Sequence, residues 1–374
     1  MQVICLKENL KSAVDGALRI VKHNSSLPIL NNLLIEAEKG RLKISSTDLE
    51  MGFVSRTPSQ VVKEGKIAVP AQVFGQFINN LPNQNIDFEV KNQKLFLKCG
   101  EIGATLNGLN PEDFPIIPKV KKDYALIINS ETLKNAVGSV VNSSAVSGAR
   151  PEISSVYMAI EPDRIKFVAT DSFRLAHKII FLESEEMQDK IKINYSTSRN
   201  IIIPLRTAAE ILRIAGEKNS DISISVDQNQ ILFDTGDASL VSRLVEGVYP
   251  DYEAIIPKSF ETNCYVSKSR LEEAVKLSGC FSSKLNEVSL KTGSSRLEVF
   301  SDNGEIGAHK SNIPAEVTGE DVNITFNWKY LLDGLKNISE DEIILQFNGN
   351  QKSAVIKPAK NGDCFYILMP IKNI

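Results

Sequence analysis

Apolar residues recur at helical spacing in six stretches of the chain, and short alternating stretches lie between them. The clearest helical face is formed by Leu10, Ala13, Val14, Ala17, Leu18 and Val21. Such spacing predicts helices over residues 8–22, 70–82, 130–145, 205–218, 267–284 and 328–338. The alternating stretches end at Gly, Asn and Pro turns, which is typical of antiparallel strands with one face on a core.

The same order of elements occurs three times along the chain. A strand ends in an aspartate at Asp48, Asp171 and Asp302, which are 123 and 131 residues apart. Each copy continues with an apolar strand end that runs into a helix, followed by an alternating strand and a turn. We therefore predict an α+β fold of three repeated domains, at residues 1–123, 124–253 and 254–374, each with two helices packed on antiparallel sheet.

The sequence offers little for catalysis. Glycine-rich phosphate loops, zinc-protease motifs and nucleophile-elbow motifs are missing. His23, His177 and His309 fall in different repeats without ligand spacing, so we expect surface or strand-end histidines. The three strand-end aspartates could form a metal or acid/base set, but one in every repeat is better explained as a turn or strand-end cap. We expect no catalytic residue, no metal site and no cofactor.

Composition narrows the class of protein. The 374 residues exceed what a single core supports, and 43 Lys+Arg against 46 Asp+Glu give a net charge of −3, which excludes a strongly basic footprint over the whole chain. Five widely spaced cysteines, an odd number, indicate reduced and mostly buried thiols. Without a leader-like or membrane-spanning stretch, we expect a cytoplasmic protein that is neither exported nor membrane-bound.

Positive charge is concentrated on the predicted helices. Together the six carry a formal charge of +5, which leaves −8 for the rest of the chain. Two explanations remain open: helix faces are often rich in lysine, or the six helices line a common surface that faces a polyanion.

The last strand carries a second unusual feature, the apolar run 365–371 with Pro370 near its end. Such a run can simply complete a sheet. Because proline interrupts strand pairing, however, Met369, Pro370 and Ile371 could leave the sheet and line an apolar groove for peptides.

Several segments resemble the bacterial DNA polymerase III beta subunit family, the sliding clamps. They are residues 26–34 (SLPILNNLL), 47–51 (TDLEM), 168–175 (VATDSFRL), 243–252 (RLVEGVYPDY) and 366–371 (YILMPI). The resemblance covers the whole chain in order. It implies a head-to-tail homodimer that closes into a ring around double-stranded DNA, without sequence preference, and that acts as a processivity factor with no chemistry of its own. An external ATP-driven loader would open the ring.

The resemblance also implies a pocket for short apolar motifs ending in Leu and Phe. Its ligands would be the DNA polymerase III alpha subunit, other polymerases, the clamp loader delta subunit, mismatch-repair proteins and ligase. Carried over by position, the pocket residues are Ile153, Thr170, Ser172, Phe173, Arg174, Leu175, Pro250, Ile255, Tyr330, Ser353, Ile367, Leu368, Met369, Pro370 and Ile371. Arg174 would supply a cationic rim, and for Ile153 and Ile367 ordinary core packing remains an alternative.

Six basic residues would face DNA: Lys11, Lys22, Arg150, Arg206, Lys268 and Lys329. Arg150 and Arg206 align with basic positions of the family, whereas the other four rest on their predicted helices, and a plain solvated face remains open for those.

The chain departs from the family pattern at Ala254, Phe173 and the tail extension 373–374, which leaves the peptide specificity open. At the expected subunit interface, an edge strand at 101–109 would meet residues 277–284 of a second copy, where Gly279 and Cys280 are small. Two other classes of function are weighed: a nuclease or hydrolase that uses the strand-end aspartates, and a protein scaffold of the same fold that does not hold DNA.

Overall fold

A computed structural model describes residues 1–22, 27–120, 124–182, 191–193, 198–216, 220–360 and 362–372. The expectations for His23 and for the tail extension at 373–374 fall outside the described residues.

Each of the six predicted helices is present in the described part of the chain. Their bounds are α1 (Lys7–Ile20), α2 (Ala71–Asn80), α3 (Ser130–Val141), α4 (Leu205–Ala215), α5 (Lys268–Gly279) and α6 (Trp328–Lys336). The predicted ends at 145 and 284 were too late. After α5, Phe281 N donates to Ser278 O and Ser282 N donates to Gly279 O, so the chain tightens into turns instead of continuing the helix.

Twenty-six strands are described. They are β1 (Gln2–Leu6), β2 (Asn32–Glu38), β3 (Arg41–Thr47), β4 (Met51–Pro58), β5 (Gln60–Lys63), β6 (Gly65–Pro70), β7 (Asn85–Lys91), β8 (Lys94–Cys99), β9 (Ile102–Asn107), β10 (Tyr124–Asn129), β11 (Ser155–Ile160), β12 (Arg164–Thr170), β13 (Arg174–Phe181), β14 (Ile191–Ile193), β15 (Arg199–Pro204), β16 (Asp221–Val226), β17 (Gln230–Asp234), β18 (Ala238–Arg243), β19 (Thr262–Ser267), β20 (Glu287–Gly293), β21 (Arg296–Asn303), β22 (Gly307–Gly319), β23 (Asn323–Asn327), β24 (Glu342–Phe347), β25 (Ala354–Pro358) and β26 (Cys364–Leu368).

The chain forms two compact units. Apart from the gaps given above, the first contains residues 1–131, 191–193 and 213–244, and the second contains 132–182, 198–212 and 245–372. The first unit holds a five-stranded sheet, in the order β5-β1-β7-β8-β9, and a nine-stranded sheet, in the order β14-β10-β16-β17-β18-β4-β3-β2-β6.

The second unit holds one sheet of twelve strands, in the order β15-β11-β12-β13-β26-β25-β24-β19-β22-β21-β20-β23. In both units neighbouring strands pair antiparallel, for example β12 with β13 and β13 with β26. The prediction of antiparallel sheet is therefore confirmed.

The helices pack on these sheets through their apolar faces, as α1 shows. Leu10, Val14 and Ala17 are fully buried on the face of α1 that contacts β3 and β4. Helix α2 packs beside α1 at Gly75, where a Cβ would lie 2.4 Å from a methyl group of Leu18. The predicted pair of helices on antiparallel sheet is thus present in the first repeat.

All five cysteines are free thiols; Cys5, Cys99, Cys264 and Cys364 are buried and Cys280 is exposed. This matches the prediction of mostly buried thiols. None of the described helices combines the length and apolar character needed to cross a bilayer. Within the same described residues, no cluster of three or more His, Cys, Asp or Glu side chains could hold a metal ion.

Candidate functional site

The turn between β12 and β13 is built by the predicted aspartate cap. Asp171 Oδ1 accepts hydrogen bonds from Phe173 N (2.9 Å) and Arg174 N (3.0 Å), while Thr170 Oγ1 donates to Arg174 O (2.7 Å). Ser172, between them, adopts a left-handed conformation with φ of 76°. The cap interpretation is therefore confirmed for Asp171.

Asp48 builds the same turn in the first repeat, where its Oδ1 accepts from Glu50 N (3.0 Å) and Met51 N (2.7 Å). The third repeat differs. Asp302 lies within β21 and pairs with Ala308, and the following turn is capped by Asn303, whose side chain accepts from Glu305 N (3.1 Å). The cap prediction is wrong for Asp302, because the strand continues one residue further. With Asp48 and Asp171 committed to turns, the hydrolase interpretation loses two of the three residues on which it depended.

Strand pairing brings the two main segments of the predicted pocket together. In the antiparallel pair of β13 and β26, Arg174 lies opposite Leu368 and Leu175 opposite Ile367. Beyond the end of β26, Met369 N still donates to Phe173 O (2.9 Å). The chain then leaves this sheet pairing, and Ile371 N donates to Thr325 O (2.8 Å). The predicted departure of the tail after Leu368 is confirmed.

Burial divides the candidate pocket residues into two groups. Ile153, Leu175, Ile367 and Leu368 are at most 5% exposed. Leu175 and Ile367 belong to a core cluster with Tyr249 and Tyr252, so the core-packing alternative holds for Ile367. Ile153, just before β11, is buried as well.

Three apolar side chains of the predicted pocket remain exposed: Phe173 (62%), Ile255 (57%) and Met369 (43%). Phe173 and Met369 are joined through their backbones, and Ile255 lies in a short 3₁₀ helix, Glu253–Ile255, that follows the buried Tyr252. Exposed apolar groups that lie next to each other, as Phe173 and Met369 do, are typical of a binding surface.

Arg174 is the electrostatic centre of the site. Its guanidinium lies 2.9 Å from an Asp171 oxygen and 2.7 Å from an Asp333 oxygen, and it stacks 4.1 Å above the ring of Tyr330. Burial opposes its charge, but the hydroxyl of Tyr366 and the two carboxylates outweigh burial and raise the pKa of Arg174.

The predicted cationic rim at Arg174 is wrong. The side chain is only 10% exposed, and two carboxylates compensate its charge, so little positive charge reaches the surface. Arg174 instead fixes the turn to α6. Sequence reasoning missed Asp333, although its i,i+3 spacing from Tyr330 on α6 places both on one helix face.

Tyr366 fixes the same helix from the sheet. Its hydroxyl donates to Tyr330 O (2.9 Å), and the helix approaches the ring closely because position 334 is glycine: a Cβ there would lie 2.4 Å from a ring carbon. Burial raises the pKa of Tyr366 well above its usual range, so the hydroxyl keeps the proton that it donates.

The other predicted residues in the strand and tail next to Leu368 are half-buried, whereas Pro250 lies elsewhere. Ser353 is half-buried and precedes Ala354, which pairs with Leu368; Pro370 and Ile371 are half-buried in the tail. Pro250 lines a separate cleft of about 330 Å³ with Tyr157, Lys166 and Glu253.

His177 is not the surface or strand-end residue that the sequence suggested. It lies within β13, is 5% exposed and stacks on Phe365 with ring centroids 4.5 Å apart. Burial, helped by the charge of Lys166, lowers the pKa of His177 to about 4. The imidazole is therefore a neutral core group at physiological pH.

Five of the six predicted DNA-facing residues lie on helices or just after one, Arg150 lies in the turns between α3 and β11, and several of the six have acidic neighbours. Lys11 pairs with Asp15 (2.7 Å), Lys22 with Asp48 (3.3 Å) and Arg150 with Glu152 (3.0 Å). These pairs reduce the net positive charge that each cation presents.

The other three differ in their surroundings. Lys268 Nζ donates to Ile338 O (2.6 Å), Lys329 lies 5.5 Å from the ring centroid of Trp328, and Arg206 is half-buried on α4. With the observed bounds the six helices carry a total formal charge of +4 rather than +5, because Lys284 lies beyond the end of α5. The helices thus remain positive in a chain whose net charge is −3.

Family models of the DNA polymerase III beta subunit match almost the entire chain. The N-terminal-domain model matches residues 1–118, the central-domain model 127–251 and the C-terminal-domain model 253–372. The predicted fold class, three repeated clamp domains of α+β type, agrees with these matches.

Proteins that are similar over their full length are sliding clamps. The beta sliding clamp of Staphylococcus epidermidis is 28% identical over 384 residues, which cover 100% of this chain and 99% of that protein. The crystal structures of the DNA polymerase sliding clamps from Bacillus subtilis and Pseudomonas aeruginosa are each 26% identical and cover 100% of both chains, with TM-scores of 0.94 and 0.91. The chain belongs to the family of the DNA polymerase III beta subunit, the bacterial sliding clamps.

Proposed function

We propose that this chain is a DNA sliding clamp that forms a head-to-tail dimer around double-stranded DNA and tethers the replicative polymerase. Its family is a non-catalytic processivity factor of DNA polymerase III. The observation that carries the proposal for a ring is the strand pairing between consecutive repeats. Each repeat pairs with the preceding one through its last strand, and in a single chain the last strand of the first repeat has no preceding repeat to pair with.

The last strand of a repeat pairs with the strand that follows the aspartate turn of the preceding repeat. Strand β18 of the second repeat pairs with β4 of the first, and β26 of the third pairs with β13 of the second. Among the strands that the structure describes, the last strand of the first repeat, β9, pairs only with β8 and ends its sheet. By the rule of the repeat, β9 should pair with the corresponding strand, β22, of a second copy.

The surface beside β22 suits this role. In the described pairings, residues 307–311 of β22 pair with β21 on one side, whereas the second neighbour, β19, pairs only with residues 315–319. Phe281 stacks on His309 (ring centroids 5.8 Å apart), which places the turns after α5 against this half of the strand. Leu277, 53% exposed at the end of α5, offers apolar surface there.

The small residue at Gly279 has a local explanation. A Cβ at this position would lie 2.9 Å from the indole of Trp328, so a larger side chain would push α5 away from α6. The glycine therefore serves packing within the second unit.

Retention on DNA by a closed ring is topological and needs only weak attraction to phosphate. The moderate charge of +4 on the helices supports this mode, since strong phosphate contacts would oppose sliding. Lys11, Lys22, Arg150, Arg206, Lys268 and Lys329 remain our candidates for these contacts. Because the sequence has no nucleotide-binding loop, loading would need an external ATP-driven machine.

The exposed surface of Phe173, Ile255 and Met369 is proposed as the docking site for apolar peptide motifs. The partners proposed are the polymerase III alpha subunit, other polymerases, the clamp loader delta subunit, mismatch-repair proteins and ligase. The domain limits 1–123, 124–253 and 254–374 and a cytoplasmic location are part of the same proposal.

The mass in solution tests the assembly. Sedimentation equilibrium should give a mass near twice 41.3 kDa, which corresponds to two chains with their open strands paired. A stable single chain at micromolar concentration, or a trimer, would contradict the proposed dimer.

Peptide binding tests the docking site. Met369→Ala should weaken binding of a labelled peptide ending in Leu-Phe roughly tenfold, because truncating an apolar anchor costs about 1–2 kcal/mol. Val73→Ala is the matched control: Val73 is 52% exposed on α2 and outside the site, so binding should not change. Equal affinity of the Met369 variant and the parent, measured by fluorescence anisotropy, would exclude Met369 from the site.

A further inference from the structure

The aspartate turn of the first repeat reproduces the aspartate turn of the proposed docking site bond for bond. Thr47 Oγ1 donates to Met51 O (2.8 Å), as Thr170 Oγ1 does to Arg174 O (2.7 Å). Leu49 has a φ of 75°, and Ser172 has 76°. Because a left-handed non-glycine residue is uncommon, its recurrence at the same position marks one shared backbone design.

The strand that follows joins the turn in the same way in both repeats. Arg243 N donates to Glu50 O (2.9 Å), just as Met369 N donates to Phe173 O (2.9 Å). Arg243 therefore occupies the position of Met369, and Glu50 occupies the position of Phe173. The connectors after the two domains also match, since PEDFPIIP at 111–118 corresponds to PDYEAIIP at 250–257.

These elements enclose a cleft of about 250 Å³ within the first unit. Its walls include Leu49, Glu50, Met51, Ile116, Val241 and Arg243, and we call it the first-repeat cleft. Ile116 is 92% exposed and Leu49 48%, so apolar groups stand open at its mouth. The volume is below that of sites for drug-sized ligands and suits one or two side chains of a peptide.

The charges at the mouth distinguish this cleft from the proposed docking site. Where Phe173 and Met369 are both apolar, Glu50 and Arg243 carry opposite charges, and both are exposed. Among the described residues, neither side chain has a charged group within ion-pair distance. Two uncompensated opposite charges that flank apolar surface favour a ligand with the complementary pair of charges.

We propose that the first-repeat cleft is a second peptide-docking site, which takes a short segment of a partner protein with an apolar anchor flanked by one acidic and one basic residue. The acidic residue would lie at Arg243 and the basic residue at Glu50. That the ligand is a peptide rests on the proposed function of the site at Phe173 and Met369. The existence of the cleft and the charges at its mouth are observed independently of that proposal.

The test uses the full chain and a synthetic hexapeptide with two central photo-leucines between an aspartate and a lysine. After irradiation, mass spectrometry locates the labelled residues. We expect labelling at Leu49 and Ile116. The amount of label should fall about fivefold in the Arg243→Gln variant. It should fall about fivefold as well when the aspartate and lysine of the peptide are replaced by Asn and Gln. Arg296→Gln is the matched control: Arg296 is exposed on β21, outside the cleft, and the variant should label like the parent.

The outcomes separate this proposal from the proposed function. Labelling confined to residues 170–175 and 367–371 would overturn the second site and keep the first. Labelling of the cleft alone would support the second site and leave the first to its own test with the peptide ending in Leu-Phe, whereas labelling at neither would overturn the second site. Labelling that is unchanged in the Arg243→Gln variant would contradict the charge-matched ligand. Labelling that disappears as the protein concentration is raised would show instead that a second copy of the chain covers the cleft.

Discussion

Arg174 shows how one side chain can act as a structural clamp rather than as a charged contact. It joins the turn at Asp171 to α6 at Asp333 and covers the ring of Tyr330. Its charge is largely compensated, so its contribution to the site is to hold Phe173 and the adjoining strand in place. A ligand would meet the apolar groups that this clamp positions.

Removing the clamp should therefore destabilise the protein. Arg174→Ala removes the cation that pairs with the poorly exposed carboxylate of Asp171 and with Asp333, which keeps the more distant Lys336. This should lower the free energy of unfolding by about 3 kcal/mol, measured by urea denaturation. Lys276→Ala breaks an exposed i,i+4 pair with Glu272 and should cost at most about 0.5 kcal/mol. Similar losses in the two variants would contradict the role of Arg174 as a clamp.

His177 should make stability depend on pH. Its pKa falls from 6.5 to about 4 on folding, so the folded state favours the neutral ring. The stabilisation is complete above pH 6.5 and is lost as the pH falls through 4, by up to about 3 kcal/mol.

His177→Phe isolates this effect, since phenylalanine keeps an aromatic ring against Phe365 and cannot be protonated. Relative to the variant, the parent should lose stability between pH 6.5 and 4 and show a constant difference above pH 7. Parallel stability curves over this whole range would show that His177 does not titrate on unfolding.

At the scale of elements, periodicity predicted the helices well because each has one continuous apolar face, as α1 has with Leu10, Val14 and Ala17. Helix ends were less predictable. The predicted extension of α5 to 284 overlooked the turns after Gly279, which depend on packing against Trp328 from a distant part of the chain.

The repeat likewise predicted the aspartate turns at Asp48 and Asp171 but not the longer strand at Asp302. For the site, the resemblance to the clamp family assigned Phe173 and Met369 to one pocket, and the backbones of the two residues are hydrogen-bonded to each other. Neither the neutralisation of Arg174 by Asp333 nor the burial of His177 could be predicted, because both depend on contacts between distant segments.

The open edge strand β9 yields a test at this scale. Ile102 is 44% exposed on β9, and Ile102→Lys should favour the single chain, because a charge at an edge opposes pairing with another strand. Val62→Lys is the control: Val62 is 63% exposed on β5, at the opposite edge of the same sheet, and the mass should stay near two chains. Dissociation of both variants to the same extent in sedimentation experiments would argue against β9 as the interface.

At the scale of the whole molecule, the chain combines a net charge of −3 with positive helices. This distribution fits a protein that attracts DNA without binding it tightly. Weak attraction alone would let the protein dissociate at moderate salt, whereas a closed ring stays on DNA for as long as the DNA has no free end.

Retention on circular and linear DNA therefore tests the central claim most directly. The protein is loaded by an ATP-driven clamp loader onto nicked circular DNA and separated from free protein by gel filtration at about 150 mM salt. We predict that it stays with the circle and is lost within minutes after a restriction enzyme linearises the DNA. Equal retention on circular and linear DNA, or none on either, would contradict a ring that encircles the duplex.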